Sequence, residues 1–329
     1  MKLLVCGGAG YIGSHMVKRL LENNIEPVVA DNLATGHRQA VPADVAFYKG
    51  DIRDGAFLDR VFRENDIDGV IHFAADSLVG ESMNVPLKYF GNNVGGMQSL
   101  LEAMIRADVD KLIFSSTAAV YGEPESIPIE EEDRKNPTNP YGESKLIMER
   151  MMRWVCLAHG LRYVALRYFN AAGAAEDGTI GEDHPTETHL IPLILQTALG
   201  QRDHITVFGD DYPTQDGTCI RDYIHVTDLA DAHLLAMKYL ADGRESAAFN
   251  LGNGTGFSVR EMIEATEKVT GKPLKVEMGA RRLGDPAQLV ASGKNARRVL
   301  GWQPEYTSVE GIIATAWRWH SNHPHGYEE

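Results

Sequence analysis

The residues of this 329-residue chain best placed for proton chemistry are a tyrosine and a lysine four positions apart, in Tyr141-Gly142-Glu143-Ser144-Lys145. The stretch from Tyr141 to His159 carries apolar residues at helical spacing, and on a helix that separation sets phenol and ammonium on one face. A phenol of ordinary pKa, about 10, is a poor base at neutral pH. Bringing it to about 7 takes roughly 4 kcal/mol of differential stabilisation, which nearby positive charge in a dry site can supply. A lone Y-x-x-x-K is most often just a surface helix. Here it follows a hydroxyl-rich segment, Ser115-Ser116-Thr117, and a glycine fingerprint near the N-terminus, and that context favours chemistry.

The fingerprint is Gly7-Gly8-Ala9-Gly10-Tyr11-Ile12-Gly13, between an apolar run and a helical pattern. Its G-x-x-G-x-x-G spacing departs from the G-x-G-x-x-G of longer dehydrogenases, but the physics is shared: a tight turn, close backbone approach, and a helix N-terminus whose free N–H groups can meet a pyrophosphate. Glycine spacing alone is a weak signal, since a purely structural turn also produces it. Asp31, closing the second apolar run, strengthens it, because a carboxylate there can accept from both hydroxyls of an adenosine ribose. The same charge repels a 2′-phosphate, and Asn32 rather than Arg follows, so NAD is expected over NADP. Asp51-Ile52, after the third run, could frame the adenine or be an ordinary loop pair.

Positioning these groups requires a sheet. Lys2 to Cys6, Pro27 to Ala30, Val45 to Tyr48, Gly69 to Phe73, Lys111 to Ser115 and Arg162 to Leu166 read as buried strands. Between them, Ile12 to Glu22, Gly55 to Arg63, Val94 to Arg106 and Tyr141 to His159 read as helices. The alternation predicts an α/β fold, a doubly wound parallel Rossmann-type sheet, with a smaller, discontinuous α/β substrate domain. The expected division is a cofactor-binding domain over 1–170, partly rejoined by 221–252 through a helix from Val226 to Leu240 and a strand from Ala248 to Leu251, and a substrate domain made of 171–220 and 253–329.

With 32 basic against 46 acidic residues the net charge is -14, which makes nucleic acid a poor partner. The apolar runs are too short to cross a bilayer, and the N-terminus lacks a signal-peptide core, so a cytoplasmic protein is expected. Cys6, Cys156 and Cys219 form no C-x-x-C pair and read as reduced core thiols. Glu130 to Asp133 reads as a solvated acidic loop, and His320, His323 and His325 as an exposed tail. His184 and His189, with Asp183 and Glu187, have a loose metal-like look but match no defined motif, and no metal is expected.

These motifs, with His72-Phe73-Ala74-Ala75, Leu166-Arg167-Tyr168-Phe169-Asn170, Phe208-Gly209-Asp210-Asp211-Tyr212-Pro213, Arg221-Asp222-Tyr223-Ile224-His225 and Asn250-Leu251-Gly252, closely resemble the UDP-glucose 4-epimerase family of extended short-chain dehydrogenases over essentially the whole chain. The resemblance implies interconversion of UDP-glucose and UDP-galactose by transient oxidation at C4, with NAD tightly bound and regenerated each cycle. It implies Tyr141 as base, Lys145 holding the nicotinamide ribose and depressing the tyrosine pKa, and Thr117 relaying the proton or bridging to the substrate hydroxyl, where the family usually has Ser. Gly7, Gly10, Tyr11, Ile12, Gly13, Asp31, Asn32, Asp51, Ile52, Phe73, Ala74, Ala75, Ser77, Asn92 and Tyr168 would hold the cofactor; the family often has Lys at the place of Ser77. Asn170, His189, Leu190, Phe208, Arg221, Arg282 and Asp285 would hold the UDP part, and the family implies a homodimer, with the helices from Val94 and Tyr141 as its seam.

Three competing readings remain at this level. A 4,6-dehydratase would need an Asp-Glu pair after the hydroxyl residue, where this chain has Ala118-Ala119. A non-catalytic NAD-sensing module commonly loses the Tyr or Lys, and both are present. A 4-epimerase of another UDP-sugar, an N-acetylhexosamine, uronic acid or pentose, stays open. On that point Leu289 occupies the place of a family gate beside the sugar C2 substituent, where Tyr goes with rejection of N-acetylated sugars and a small residue with acceptance; packing in the core is its alternative role.

Overall fold

The computed structural model describes residues 1–282 and 285–327. Six strands alternate with helices through the first half: β1 (Lys2–Cys6), β2 (Glu26–Asp31), β3 (Ala46–Lys49), β4 (Gly69–His72), β5 (Lys111–Ser115) and β6 (Arg162–Arg167). After β7 (Asn170–Ala172), β8 (Ile205–Phe208), β9 (Ile220–Arg221) and β10 (Tyr223–His225), strand β11 (Ala247–Asn250) returns to the first sheet. The seven strands run parallel in the order β11-β6-β5-β4-β1-β2-β3. Leu3, Leu4, Val5 and Cys6 have no exposed surface, as a central strand covered on both faces requires. The strand order reverses between β1 and β4, and the crevice beyond the carboxyl ends of such strands is where ligands bind in this architecture.

The helices of this half are α1 (Tyr11–Glu22), α2 (Gly55–Glu64), α3 (Val79–Asn84), α4 (Pro86–Tyr89), α5 (Gly95–Arg106) and α6 (Pro140–His159). Sequence reading begins the α5 helix at Val94. The structure joins it to α4 through a π-helical turn, Phe90–Val94, of the kind that often marks functional sites. The start of α6 is set locally: the Asn139 side chain accepts from Gly142 N at 2.8 Å, Pro140 occupies the first turn, and Gly160 in the left-handed region closes the other end. That cap places Tyr141 in the first turn, at the mouth of the crevice.

The remaining elements are α7 (Leu190–Ala198), α8 (Val226–Ala241), β12 (Phe257–Ser258), α9 (Val259–Thr270), β13 (Val276–Gly279), β14 (Gln288–Leu289) and α10 (Val309–Asn322). Helix α8 packs on α1, and its Leu229, Met237 and Leu240 share one core with Leu3, Val5 and Ile71. A separate core gathers Ile191, Ile194 and Leu195 of α7, Met262 and Ile263 of α9, and Ile312 and Ile313 of α10. The 253–329 stretch is not all on that side: Ala296, Leu300 and Trp302 join the first core, with Trp302 Nε1 donating to Asp228 O at 2.9 Å.

Two surface expectations are corrected by packing. Glu131 is only 7% exposed, and its carboxylate accepts from Asn250 N and Asn295 Nδ2, each at 2.9 Å, so the acidic run has one anchored member. His320 lies on α10 and burial lowers its pKa, while His323 stacks on Trp319 at 3.9 Å; of the three terminal histidines only His325 is exposed. All three cysteines are free; Cys6 and Cys219 are buried, Cys156 partly so. Among the described residues no helix is long and apolar enough to cross a membrane.

Candidate active site

The glycine turn after β1 is built by close approach. Gly7 has φ +80°, and a Cβ there would lie 2.6 Å from Ala74 N; one on Gly13 would lie 2.0 Å from Gly7 O. Gly10 is different, since an added Cβ would meet only Gly7 O, at 3.5 Å, so internal packing does not demand a glycine there. No side chain caps α1 at Gly10. An uncapped helix N-terminus behind a glycine with open space in front suits an anionic group, a pyrophosphate above all. Asp31 shapes the turn from β2: its Oδ2 accepts from Ala9 N at 2.9 Å and its Oδ1 from Leu33 N at 2.8 Å. Burial raises the Asp31 pKa, and those two N–H groups oppose the rise.

Other expected cofactor residues divide into those that line the crevice and those already engaged. Phe73 N and Ala74 N both donate to Cys6 O, fastening the segment after β4 against the glycine turn. Ser77 is exposed, and Asn92 Nδ2 donates to Asn93 Oδ1 at 3.2 Å. Asn93, which sequence reading passed over, is fully buried: its Oδ1 accepts from Asp76 N, and its Nδ2 reaches Asp76 O and Ser144 Oγ, each at 3.0 Å, tying the 74–77 segment to α6. Asn32 Oδ1 accepts from Ala34 N. Asp51 is held by Arg53, whose hydrogen bonds lower its pKa, and Ile52 is buried in the core. Tyr11 sends its hydroxyl to Gly173 O at 2.6 Å, so its side chain bridges to the chain beyond β7.

At the ends of β5 and β6 the reactive groups converge. Thr117 Oγ1 donates to Tyr168 O at 3.5 Å and accepts from Ala119 N at 3.1 Å, and its hydroxyl favours ionisation of the neighbouring Tyr141. Lys145 Nζ donates to Ser115 O at 2.8 Å and lies 5.9 Å from the Tyr141 ring centroid. Tyr168 Oη meets Ser115 Oγ at 2.5 Å. Burial pushes Lys145 down to about 7, with Glu149 pulling the other way. In the protein alone burial raises the Tyr141 pKa, and only the Thr117 hydroxyl opposes the rise. Burial opposes the charged forms of both Tyr141 and Lys145, so the phenolate needs further positive charge beside the ammonium.

Behind them sits a polar network centred on Glu149, which lies outside every quoted motif. Arg167 Nε and Nη2 grip Glu149 Oε1 and Oε2 at 2.9 and 2.6 Å, Ser116 Oγ donates to Glu149 Oε1 at 2.6 Å, and Arg167 Nη1 reaches Tyr121 Oη at 2.8 Å. Glu149 follows Lys145 by four residues on α6, and that stripe, Tyr141-Lys145-Glu149, was the available signal.

On the substrate side a cavity of ≈ 840 Å³ is lined by Ser126, Pro213, Arg281, Arg282, Asp285 and Gln288. The Arg282 guanidinium lies 4.1 Å from the Phe208 ring centroid, and Arg221 is ion-paired with Asp285. Leu289 stands beside Arg221 in the β14–β9 ladder, half-buried. Asn170 Nδ2 donates to Asp222 O at 2.9 Å. His189 precedes Leu190, the first residue of α7, and its Nδ1 faces Glu187 at 2.8 Å and Glu182 at 3.1 Å. His184 Nδ1 faces the same two carboxylates, at 3.3 and 3.4 Å. Sequence spacing shows no metal motif here, yet the loop folds Glu182, which sequence reading left out, into one cluster with His184, Glu187 and His189. Burial opposes charge on His189, but hydrogen bonds to Glu182 and Glu187 prevail and lift its pKa to about 10.

A parallel sheet with a glycine turn at its switch point and a Tyr/Lys/Thr group beside it defines a nucleotide-cofactor enzyme, and residues 3–252 match the NAD dependent epimerase/dehydratase family, to which the chain belongs. More narrowly, it is 58% identical over 327 residues to a UDP-glucose 4-epimerase of Lacticaseibacillus casei, covering 99% of both chains. A crystal structure of a UDP-glucose 4-epimerase superposes with a TM-score of 0.99 at 56% identity over 100% of both chains. The enzyme from Bifidobacterium longum in complex with NAD+ and UDP gives 0.92 at 40% identity, over 99% of this chain and 100% of that one.

Proposed function

We propose that this chain interconverts UDP-glucose and UDP-galactose by reversible oxidation at C4 of the hexose, using a tightly held NAD. The observation that carries the reading is the convergence of Thr117, Tyr141 and Lys145 beside the open, uncapped glycine turn. Bound NAD supplies a hydride acceptor and donor, and in its oxidised form a positive charge. Tyr141 takes the C4 hydroxyl proton as hydride leaves C4 and returns it to the same oxygen once the ketone has turned, so that hydride comes back to the opposite face of C4; Thr117 aligns that proton. Lys145 holds the nicotinamide ribose and stabilises the phenolate. Gly7, Gly10, Tyr11, Ile12 and Gly13 meet the pyrophosphate through their backbone, Asp31 with Asn32 the ribose, and Asp51, Ile52, Phe73, Ala74, Ala75, Ser77, Asn92 and Tyr168 the rest of the cofactor.

A ketone that must show both faces to one cofactor has to be held loosely, so binding resides in the nucleotide. Asn170, Phe208, Arg221, Arg282 and Asp285, with His189 and Leu190 at the start of α7, take that part; planar guanidinium groups suit a diphosphate. Arg221 uses two of its donors on Ile220 O and Asp285, leaving others for phosphate. In this reading 1–170 with 221–252 carries the cofactor, and 171–220 with 253–329 the nucleotide sugar. Exposed Trp154 (68%) and Leu157 (67%), one turn apart on α6, support a homodimer through that helix, and three free thiols fit a cytoplasmic location.

The test is incubation with a panel of UDP-sugars without added NAD, read by product separation: UDP-galactose converts to UDP-glucose faster than any other sugar is turned over. No conversion of any UDP-sugar, with NAD bound reversibly, would replace the reading with an NAD-sensing module. Leu289 sets the breadth of the panel. UDP-N-acetylgalactosamine is epimerised detectably but more slowly, Leu289→Tyr suppresses it selectively, and Leu289→Cys raises it, by about 10 to 200-fold in relative kcat/KM across the series. A constant ratio of the two sugars in all three proteins would remove Leu289 from that role.

Lys145→Ala lowers turnover by about 10-fold or more and moves the rising limb of the pH profile upward. The sign follows from charge: the ammonium favours the phenolate, so its loss leaves the tyrosine pKa higher still than burial alone has put it. A profile unchanged in position would show that the cofactor charge alone sets that pKa.

A further inference from the structure

The loop between Gly181 and α7 places two imidazoles and two carboxylates in one pocket. One donor atom from each of Glu182, His184, Glu187 and His189 lies within 4.8 Å of all the others. The four Nδ1-to-carboxylate separations are 2.8, 3.1, 3.3 and 3.4 Å. Donors at roughly 2.0–2.1 Å from a common tetrahedral ion stand about 3.3 Å apart, so small side-chain adjustments convert this cluster into a closed four-ligand shell. The two glutamates are nearly buried, with 6% and 9% side-chain exposure, and each faces both imidazoles. A cavity of ≈ 190 Å³ adjoins them, lined also by Gln196 and His320, which gives an ion an entry path and a further imidazole near the shell.

The loop is in contact with both halves of the molecule. The His184 ring packs edge-on to Tyr11, the residue after Gly10, with centroids 6.5 Å apart. Trp319 Nε1 of α10 donates to Glu182 O at 3.2 Å, and the Tyr327 N–H donates to Asp183 Oδ2 at 2.9 Å. His189 then leads directly into α7.

We propose that Glu182, His184, Glu187 and His189 form a structural site for one divalent transition-metal ion, zinc by ligand chemistry, that pins the 182–189 loop between the glycine turn and α10. Two imidazole nitrogens and two carboxylate oxygens at tetrahedral spacing are a donor set for zinc, and calcium or magnesium would call for an all-oxygen shell of six or more. All four ligands come from the protein, so the ion is a fastener and takes no part in the sugar chemistry; it engages His189 through Nδ1, leaving Nε2 of that ring for the nucleotide. Ligands spaced i, i+2, i+5 and i+7 close only a short loop, so little chain entropy opposes assembly.

The test uses the full-length protein without a polyhistidine tag, stripped with a chelator, dialysed, and titrated with Zn²⁺ and separately with Co²⁺. The expected result is one tightly bound ion per chain, an intense visible spectrum for the Co²⁺ form of the kind tetrahedral sites give, and a higher melting temperature on Zn²⁺ addition. His184→Ala and Glu187→Gln, neither of which touches the catalytic group, each weaken Zn²⁺ binding by more than the roughly 10–100-fold that loss of an outer-shell partner costs. Their Co²⁺ spectra also weaken or vanish. Glu187→Gln keeps the side-chain shape, so it reports on the site even if His184→Ala fails to fold. Binding weaker than one ion per chain in the wild type, or an unchanged affinity and Co²⁺ spectrum in Glu187→Gln, overturns the proposal.

Discussion

Tyr141→Phe is expected to lower kcat by about 10²–10⁴-fold while NAD content, circular dichroism and melting temperature stay at the wild-type values. The change removes one oxygen. The ring still fills the first turn of α6, which is fixed by Asn139 and Pro140 rather than by the phenol. What is lost is the hydroxyl beside Thr117 that exchanges a proton with the C4 hydroxyl. Because that exchange belongs to the transition state, kcat and kcat/KM should fall together with KM little changed. A variant keeping a tenth or more of the wild-type turnover would remove Tyr141 from the role of base. A fall in KM of the same size would instead point to relief of ground-state strain.

Arg167→Met should be the most destabilising single substitution behind the site, costing about 3–5 kcal/mol, because it strands the Glu149 carboxylate in a buried position. Burial works against charge on Arg167, yet the hydrogen bonds and attraction of Glu149 hold its pKa above the ordinary value, so the guanidinium is locked in its charged form. Removing it leaves Glu149 with only the Ser116 hydroxyl, and Tyr121 with one partner fewer. Replacing both members, Glu149→Met with Arg167→Met, removes the uncompensated charge along with its partner and should recover much of the loss. Chemical denaturation of the three variants measures this. A single-variant cost below about 1 kcal/mol, or a double variant no better than the single, would show that the pair is solvated or slack rather than a buried brace.

Much of the crevice was legible along the chain because its determinants are local. The glycine turn needs particular backbone freedom at Gly7, where φ is +80° and no Cβ fits, and such a demand shows as a residue type at a position. Apolar runs separated by helical stretches announce a parallel sheet, and Tyr141 with Lys145 announces a face of a helix. Other roles were invisible for an equally physical reason. Asn93 and Glu131 look like surface residues in sequence, and become structural only when buried N–H groups from distant segments turn to them. Asp51, expected to frame the adenine, also pairs with Arg53 two residues away, a contact the reading of the sequence did not include.

What the sequence by itself determined here is a set of short-range necessities: where a turn must lie, which strands are buried, and which side chains share a helix face. Tertiary structure decided the electrostatics. Whether Tyr141 is raised or lowered depends on how much water the fold leaves around it and around Lys145, and the structure buries both. Likewise four residues of the 182–189 loop, unremarkable in spacing, become one cluster because the chain folds back between Tyr11 and Trp319. Charge interactions fall off with distance and depend on burial, and both are properties of the packed molecule rather than of the order of its residues.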